Sequence, residues 1–373
     1  MKFGQPAGTA PFTLSVLSAG GTGVGMTAEE GLEGTIELAR TAEQRGYHRF
    51  WMSEHHAMGA TSVSSPPLMV ARLIAETTRI RLGAGGVMLP NHAPLLIAEQ
   101  FGMLDALAPG RIDLGLGRAP GTDGATAAAL RRGADANDGF PQQVLELLGF
   151  LGDGFPPGHP YRNVHAVPGP WQARENRVPA ASTSPEVWVL GSSPYSAQLA
   201  GQLGRPYAFA LQFGDADVDT AMRLYRESFQ PSDVLAEPHT LVSVPVAISD
   251  DPTEAKRQAA TSAMAMLRMF KSEGYLLLPP DEVEAYAAML QERQILDAYT
   301  SRSFHGTAST VADRLEALHE RTGVDEVMLV VGGHSTILDQ HGITLIADHY
   351  ELRTPTGHRA IEPFNTPTFT THP

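Results

Sequence analysis

Eight short apolar stretches, each followed by a segment of helical periodicity, predict an α/β fold of the (β/α)8 barrel type. Two further observations agree with it. The turns are supplied by 37 glycines and 28 prolines, which suits many βα connections better than a helical bundle. The length of 373 residues holds a barrel of about 250 residues with insertions to spare.

The elements follow in order. Residues 12–17 (FTLSVL) read as the first strand, and a glycine-rich loop spans 19–26. Thr27 and Glu30 then have capping-box spacing, and the helix they open runs to about Arg45, where Gly46 can close it. Strands two to four are 49–53 (RFWMS), 80–85 (IRLGAG) and 111–116 (RIDLGL), with helices over 66–78, 94–107 and 141–151. Strands five to seven are 187–190 (VWVL), 207–211 (YAFAL) and 241–248 (LVSVPVAI), with helices over 195–203, 216–229 and 253–270. Strand eight is 326–331 (EVMLVV), followed by a helix over 335–352. The surplus lies in two insertions, at about 152–186 and 271–322. The second holds an amphipathic helix near 281–297 and another from Ser309. One domain over 1–373 is expected, with a loose tail from about 353.

The composition is 42% hydrophobic and 18% charged, enough for a large core and unlike a disordered chain. Lys and Arg number 27 against 41 Asp and Glu, a formal charge of −14. That charge argues against non-specific binding to nucleic acid or to an anionic membrane surface. The absence of cysteine excludes disulfides, thiolate nucleophiles and thiolate-ligated metals. Residues 1–10 carry one Lys and no apolar run, so no signal peptide is expected. No stretch is apolar enough for a membrane span, and a cytoplasmic protein is expected.

Barrel chemistry sits at the C-terminal ends of the strands, which reduces the search to a few loops. Gly23, Gly25 and Ala28 fit G-x-G-x-x-A after a strand, but no acidic residue ends the second strand at dinucleotide spacing, so a plain βα loop is the better reading. Glu54-His55-His56 closes strand two, and the two imidazoles suit acid/base work, or metal binding if His92, Asp105 or Asp113 joined them. Gly83 to Gly86 removes side chains at the end of strand three, either for a bulge or for close approach of a flat ligand. Arg118 follows strand four, and Gly191-Ser192-Ser193 precedes a helix. Together these offer an Arg, hydroxyls and a helix N-terminus to one phosphate, although a serine there can also simply cap the helix.

Several segments in this order carry a resemblance. They are 50–56 (FWMSEHH), 78–90 (TRIRLGAGGVMLP), 91–95 (NHAPL), 98–101 (AEQF), 107–121 (LAPGRIDLGLGRAPG), 189–198 (VLGSSPYSAQ), 304–307 (FHGT) and 311–315 (VADRL). The chain from about 12 to 352 resembles the bacterial luciferase-like family of flavin-dependent monooxygenases, in its alkanal-monooxygenase-like branch. The resemblance implies a TIM barrel that binds reduced FMN, supplied by a separate flavin reductase, and that uses O2 on a small apolar substrate such as an aldehyde. It implies a homodimer. It places a non-proline cis peptide under the flavin ring at Gly85-Gly86. It maps phosphate contacts to Arg118, Ser192, Ser193 and Tyr195 beside Gly191, and a catalytic imidazole to His55 with His56 next to it. No metal is implied. Gly117 stands where the light-emitting members carry a cysteine, and Gly191 where they carry an acid, which argues against luminescence. The 271–303 segment falls where the family has a mobile lid, and 276–280 (LLLPP) suits a water-excluding cover. The wider superfamily also contains deazaflavin-dependent hydride-transfer enzymes and non-catalytic flavin-binding proteins, which are the two alternatives.

Overall fold

The computed structural model describes residues 3–5, 7–133, 135–179, 184–213, 217–286 and 289–353. Nine strands form one parallel sheet: β1 (Thr13–Ser18), β2 (Arg49–Met52), β3 (Arg81–Met88), β4 (Ile112–Gly117), β5 (Glu186–Gly191), β6 (Tyr207–Ala210), β7 (Thr240–Ile248), β8 (Phe304–Gly306) and β9 (Glu326–Val331). Sequential pairing from β1 to β7, then β7 with β9 and β9 with β1, closes an eight-stranded ring. The chain is a TIM barrel, and the eight expected strands are the eight of the ring.

β8 is the exception. It lies outside the ring and pairs with the far end of β7, Val246 against Phe304 and Ile248 against Gly306. It falls in the insertion read as loops and helices. Three residues are too few to show an alternating pattern, so the sequence carried no signal for it. The helix expected over 281–297 is also two, Pro280–Ala285 and Leu290–Arg302. The first ends at Tyr286, which has extended backbone. The helix expected over 66–78 stops at Ile74, where Ala75 N–H and Glu76 N–H turn back onto Arg72 and Leu73 with tighter, three-residue spacing. Residue 216 and the tail beyond 353 lie outside the described residues.

Local signals elsewhere act as their chemistry requires. Glu30 N–H donates to Thr27 Oγ1 at 3.1 Å and Thr27 N–H donates to Glu30 Oε2 at 2.7 Å, the reciprocal capping box at the head of Ala28–Gln44. Gly46 follows that helix with φ +86°, a backbone angle an L side chain resists.

The N-terminal end of the barrel is sealed by buried charge. Arg49 donates to Glu326 through Nε at 2.7 Å and Nη2 at 3.0 Å, and to Asp113 through Nη1 at 2.8 Å. Asp113 also accepts from Trp51 Nε1 at 2.9 Å and Arg81 Nε at 3.0 Å. Arg49, Arg81 and Glu326 are the first residues of their strands, so register alone brings them into one layer. Above them Trp51 and Trp188 meet edge to face at 5.3 Å and fill the barrel axis. Asp113 is thus committed to this layer and is no partner for the histidines of strand two. Asp105 lies in the Pro94–Leu107 helix and accepts from Gly110 N–H at 3.2 Å.

Candidate active site

At the opposite end, a cavity of about 1040 Å³ opens over the strand C-termini. Its floor is the top of the barrel interior, with Leu17, Trp51, Ala208, Leu241 and Met328. The nine residues that the resemblance maps to the site all line it: His55, His56, Gly85, Gly86, Arg118, Gly191, Ser192, Ser193 and Tyr195.

The glycines have steric reasons. The Gly85-Gly86 peptide is cis, and the β3–β4 register shifts between Gly85 and Val87. A Cβ at Gly85 would sit 2.6 Å from the Trp51 ring, and one at Gly86 2.6 Å from the Gly115 carbonyl. The bulge and the flat cavity wall are therefore one feature. A Cβ at Gly191 would run into the Ser196 hydroxyl, which explains why no larger residue stands there.

On one side of the cavity the guanidinium of Arg118 lies over the Tyr195 ring at 4.6 Å. None of the hydrogen bonds or ion pairs among the described residues involves that guanidinium. Ser193 is the N-cap residue of Pro194–Gln202, but its side chain does not cap the helix. Its carbonyl instead accepts from Ser196 Oγ at 2.8 Å. The capping reading of Ser193 thus fails, and the uncapped helix start faces the same space as the arginine. An uncapped helix start beside a cation favours an anion.

On another side stand the histidines. His55 Nδ1 is buried and has no hydrogen-bond partner in the structure. Burial lowers the His55 pKa, and the Gly121 carbonyl and the Glu54 charge oppose this only in part. His55 is neutral near pH 7 on this account, with a buried ring nitrogen facing no partner of its own. His56 is held differently. Its Nε2 meets Glu54 Oε1 at 2.9 Å, its N–H donates to Gly121 O at 3.3 Å, and its carbonyl accepts from Thr122 Oγ1 at 2.7 Å.

Glu54 is the residue sequence reasoning passed over, although it stands in the same motif. It also accepts from Met88 N–H at 3.0 Å, from Asn91 Nδ2 at 3.2 Å and from His92 Nε2 at 2.9 Å. Burial works against its charge, but the bonds from His92, His56 and Met88 hold its pKa below the usual glutamate value. Arg132 gave no signal, since it lies in an irregular stretch. It ties the loops together by donating to Asn91 Oδ1 and to the Arg118 carbonyl, both at 2.7 Å. Among the described residues no group of three or more His, Asp or Glu is arranged to hold a metal ion.

The roof comes from the end of the helix after β7 and the start of the second insertion, but not from 276–280. Met269, Ser272, Gly274 and Tyr275 line the cavity. Leu277 is instead buried with Ala60 and Ala265, and its carbonyl accepts from Val24 N–H at 2.9 Å. That bond, with the Gly23–Leu277 bridge, uses the glycine-rich loop for backbone pairing. The plain-loop reading of that segment agrees with this pairing.

The family model for luciferase-like monooxygenases matches residues 12–340. The chain is 40% identical over 306 residues to a luciferase-like monooxygenase of Escherichia coli strain K12, covering 82% of this chain and 87% of that one. It is 31% identical over 339 residues to the N-acetyl-S-alkylcysteine monooxygenase of Bacillus subtilis strain 168, covering 90% and 97%. The crystal structure of apo-MsnO8 superposes with a TM-score of 0.80 at 32% identity over 91% of this chain and 98% of that one. Two more distant structures share the fold alone. The oxygenating constituent of 3,6-diketocamphane monooxygenase in complex with FMN scores 0.65 at 19% identity, covering 90% of this chain and 97% of that one. An F420-dependent secondary alcohol dehydrogenase scores 0.60 at 16% identity, with the same coverages. A barrel with this cavity, these glycine-shaped strand ends and this span of matching sequence is an enzyme of one lineage: the chain belongs to the luciferase-like monooxygenase family.

Proposed function

We propose that this protein is an FMN-dependent monooxygenase that uses reduced flavin and O2 to oxidise a small apolar organic substrate, with aldehydes the first class to test. The observation that carries the choice of cofactor is the pairing of Arg118 with the uncapped start of Pro194–Gln202. That donor set suits one terminal phosphate. The flat wall at Gly85-Gly86 suits an isoalloxazine ring, and the unpartnered His55 Nδ1 suits a polar edge beside it. Bound reduced FMN would supply the electrons that activate O2.

The rest is the work of this chain's own groups. Arg118, Ser192 and Ser193 hold the phosphate, with Tyr195 supporting the guanidinium from behind. Gly85 and Gly86 let the ring approach the backbone, which no larger residue would permit. Leu17, Trp51 and Met328 keep water from below, and Met269 and Tyr275 cover the substrate side. His55 is the acid/base group, because it is neutral and its ring lines the cavity. A separate reductase delivers the reduced flavin, as the family resemblance implies, and the chain works in the cytoplasm.

Titration under anaerobic conditions tests the reading. Reduced FMN is expected to bind, and Arg118→Ala to raise its Kd by ~10–100-fold, the worth of one charge-assisted contact. Preference for a reduced deazaflavin would move the protein to the hydride-transfer enzymes, and binding of neither would make it non-catalytic.

A homodimer fits the exposed apolar side chains on two neighbouring helices. Leu68 on Pro66–Ile74 is 75% exposed, and Leu107 on Pro94–Leu107 is 64% exposed with Met103 beside it on the same helix. Single exposed leucines are ordinary, but several exposed apolar side chains on adjacent helices favour a partner. Sedimentation is expected to give a dimer, and Leu107→Lys to shift it toward monomer; an unchanged mass would place the interface elsewhere.

A further inference from the structure

On the wall opposite the paired glycines, one neutral amide interrupts an apolar surface. In the eight-stranded ring β3 and β7 are four places apart in either direction, so Gly85-Gly86 and the end of β7 face each other across the cavity. Side chains alternate along a strand. Ala208 and Ala210 of β6 and Leu241 and Ser243 of β7 take the cavity side, with Ala208 opposite Leu241 and Ala210 opposite Ser243 in register. Gln212 continues that alternation into the short 3₁₀ turn Leu211–Phe213 and also lines the cavity. The two alanines below it leave room for a ligand.

Ser243 Oγ lies 2.9 Å from Gln212 Oε1 and 3.3 Å from the Phe209 carbonyl. Its one proton goes to the shorter contact, which sets the amide with Nε2 away from the serine. Among the described residues no hydrogen bond involves that Nε2. A buried hydroxyl thus holds a side-chain amide whose donor end is left to the cavity.

The surroundings decide what that donor can take. Leu17, Ala208, Leu241 and Met328 around it carry no charge. Arg118 follows β4 and the imidazoles follow β2, so the charged and titratable groups of the cavity belong to other strands. A carboxylate against this wall would be buried without a counter-charge, and an ammonium would meet another donor. A neutral carbonyl oxygen satisfies Nε2 without either cost. An analogue that lacks the oxygen leaves the amide dry and unpaired.

We propose that Gln212 is the specificity-determining residue of the substrate side: its Nε2 donates to a neutral carbonyl oxygen of an apolar substrate, and Ser243 is the positioning residue that holds the amide. The inference rests on the flavin reading only for the reaction that follows binding, since the selection itself needs no cofactor.

The test uses the full chain, alone and with FMN, and two probes of one shape. 2-Hexanone carries the carbonyl, and 2-methyl-1-hexene has a methylene in place of the oxygen. Calorimetric Kd values are compared as the change each substitution makes, which cancels the unequal cost of taking the two probes out of water. Gln212→Leu is expected to weaken 2-hexanone by ~10-fold and to leave or tighten the alkene, with the Kd for FMN within about twofold of native. Gln212→Met, close in length and without a donor, is expected to do the same and serves if the leucine variant does not fold. Ser243→Ala is expected to weaken the ketone by about threefold with the alkene unmoved, and to add nothing to Gln212→Leu. A merely structural role would move both probes alike, so an equal shift overturns the inference. A ketone Kd that ignores Gln212→Leu, binding of neither probe, or a loss confined to FMN overturns it too, the last by assigning the amide to the cofactor. A native protein that binds no FMN but shows the ketone effect supports the inference and removes the flavin reading.

Discussion

His55→Ala is expected to lower turnover by ~10²–10⁴-fold while leaving the Kd for reduced FMN within about threefold of the native value. The split between the two numbers is the informative part. In the proposed reading phosphate binding falls to Arg118 and the Ser192-Ser193 turn, which follow strands four and five, whereas His55 follows strand two. Removing the imidazole takes nothing from the phosphate side. It removes a buried ring nitrogen that no protein group satisfies. Such a nitrogen is costly to keep unless a ligand or a reacting group meets it. The pH dependence follows with a definite sign. Burial lowers the His55 pKa below 6.5, so the neutral form persists into mild acid. Activity that depends on neutral His55 is then lost only as pH falls through that lowered value, and the alanine enzyme should lack this limb. Turnover that survives the substitution would take the acid/base role from His55 and leave His56, held on Glu54, as the next residue to change.

The strand ends were legible because the fold is periodic. Once eight βα units are counted, the barrel rule points to the loops after strands two to five, and the notable residues there are few. The His pair, the glycine pair, Arg118 and the Gly-Ser-Ser turn all stand within a few residues of a strand end, and all line one cavity. Legibility failed where the meaning of a residue depends on distant partners. Asp113 reads in sequence as an available ligand, yet Arg49 and Arg81 hold it from neighbouring strands. Arg49 and Glu326 are 277 positions apart, and no local pattern joins them. Glu54 sat inside a recognised motif, but its value lies in accepting from His56, Asn91 and His92 at once, which only the fold brings about. Within 271–303 the cavity-facing residues lie a few positions before the apolar run at 276–280, for a similar reason. The sequence shows that 276–280 is apolar, but not that Leu277 is spent on Ala60 and Ala265 while Tyr275 faces the cavity.

The largest loss of stability is expected from Arg49→Ala, at about 3–5 kcal/mol, with a fall in Tm of roughly 10 °C. Arg49 and Glu326 are fully buried and Asp113 is too, so the arginine is removed from a place water does not reach. Asp113 keeps Arg81 and the Trp51 N–H. Glu326 is left with the Ser15 hydroxyl and, at 3.8 Å, His239. An ionised carboxylate in that position is the main source of the loss, and it gives the prediction its second readout. In the native protein burial alone would raise the Glu326 pKa, but the Arg49 charge and the Arg49 hydrogen bonds outweigh it and hold the group well below the carboxylate range. Asp113 is lowered likewise, with Arg81 and Arg49 outweighing its burial. A depressed carboxylate pKa stabilises the fold above the unfolded value and ceases to do so as pH falls through the folded one. The native protein should therefore lose this contribution only below about pH 4. In Arg49→Ala the Glu326 pKa rises, so the variant is most destabilised near neutral pH. The gap between the two unfolding free energies should narrow on acidification toward pH 4. A gap that stays constant with pH would mean that lost packing against Trp51 and Trp188, whose rings the guanidinium covers at 5.6 and 4.8 Å, outweighs the stranded charge.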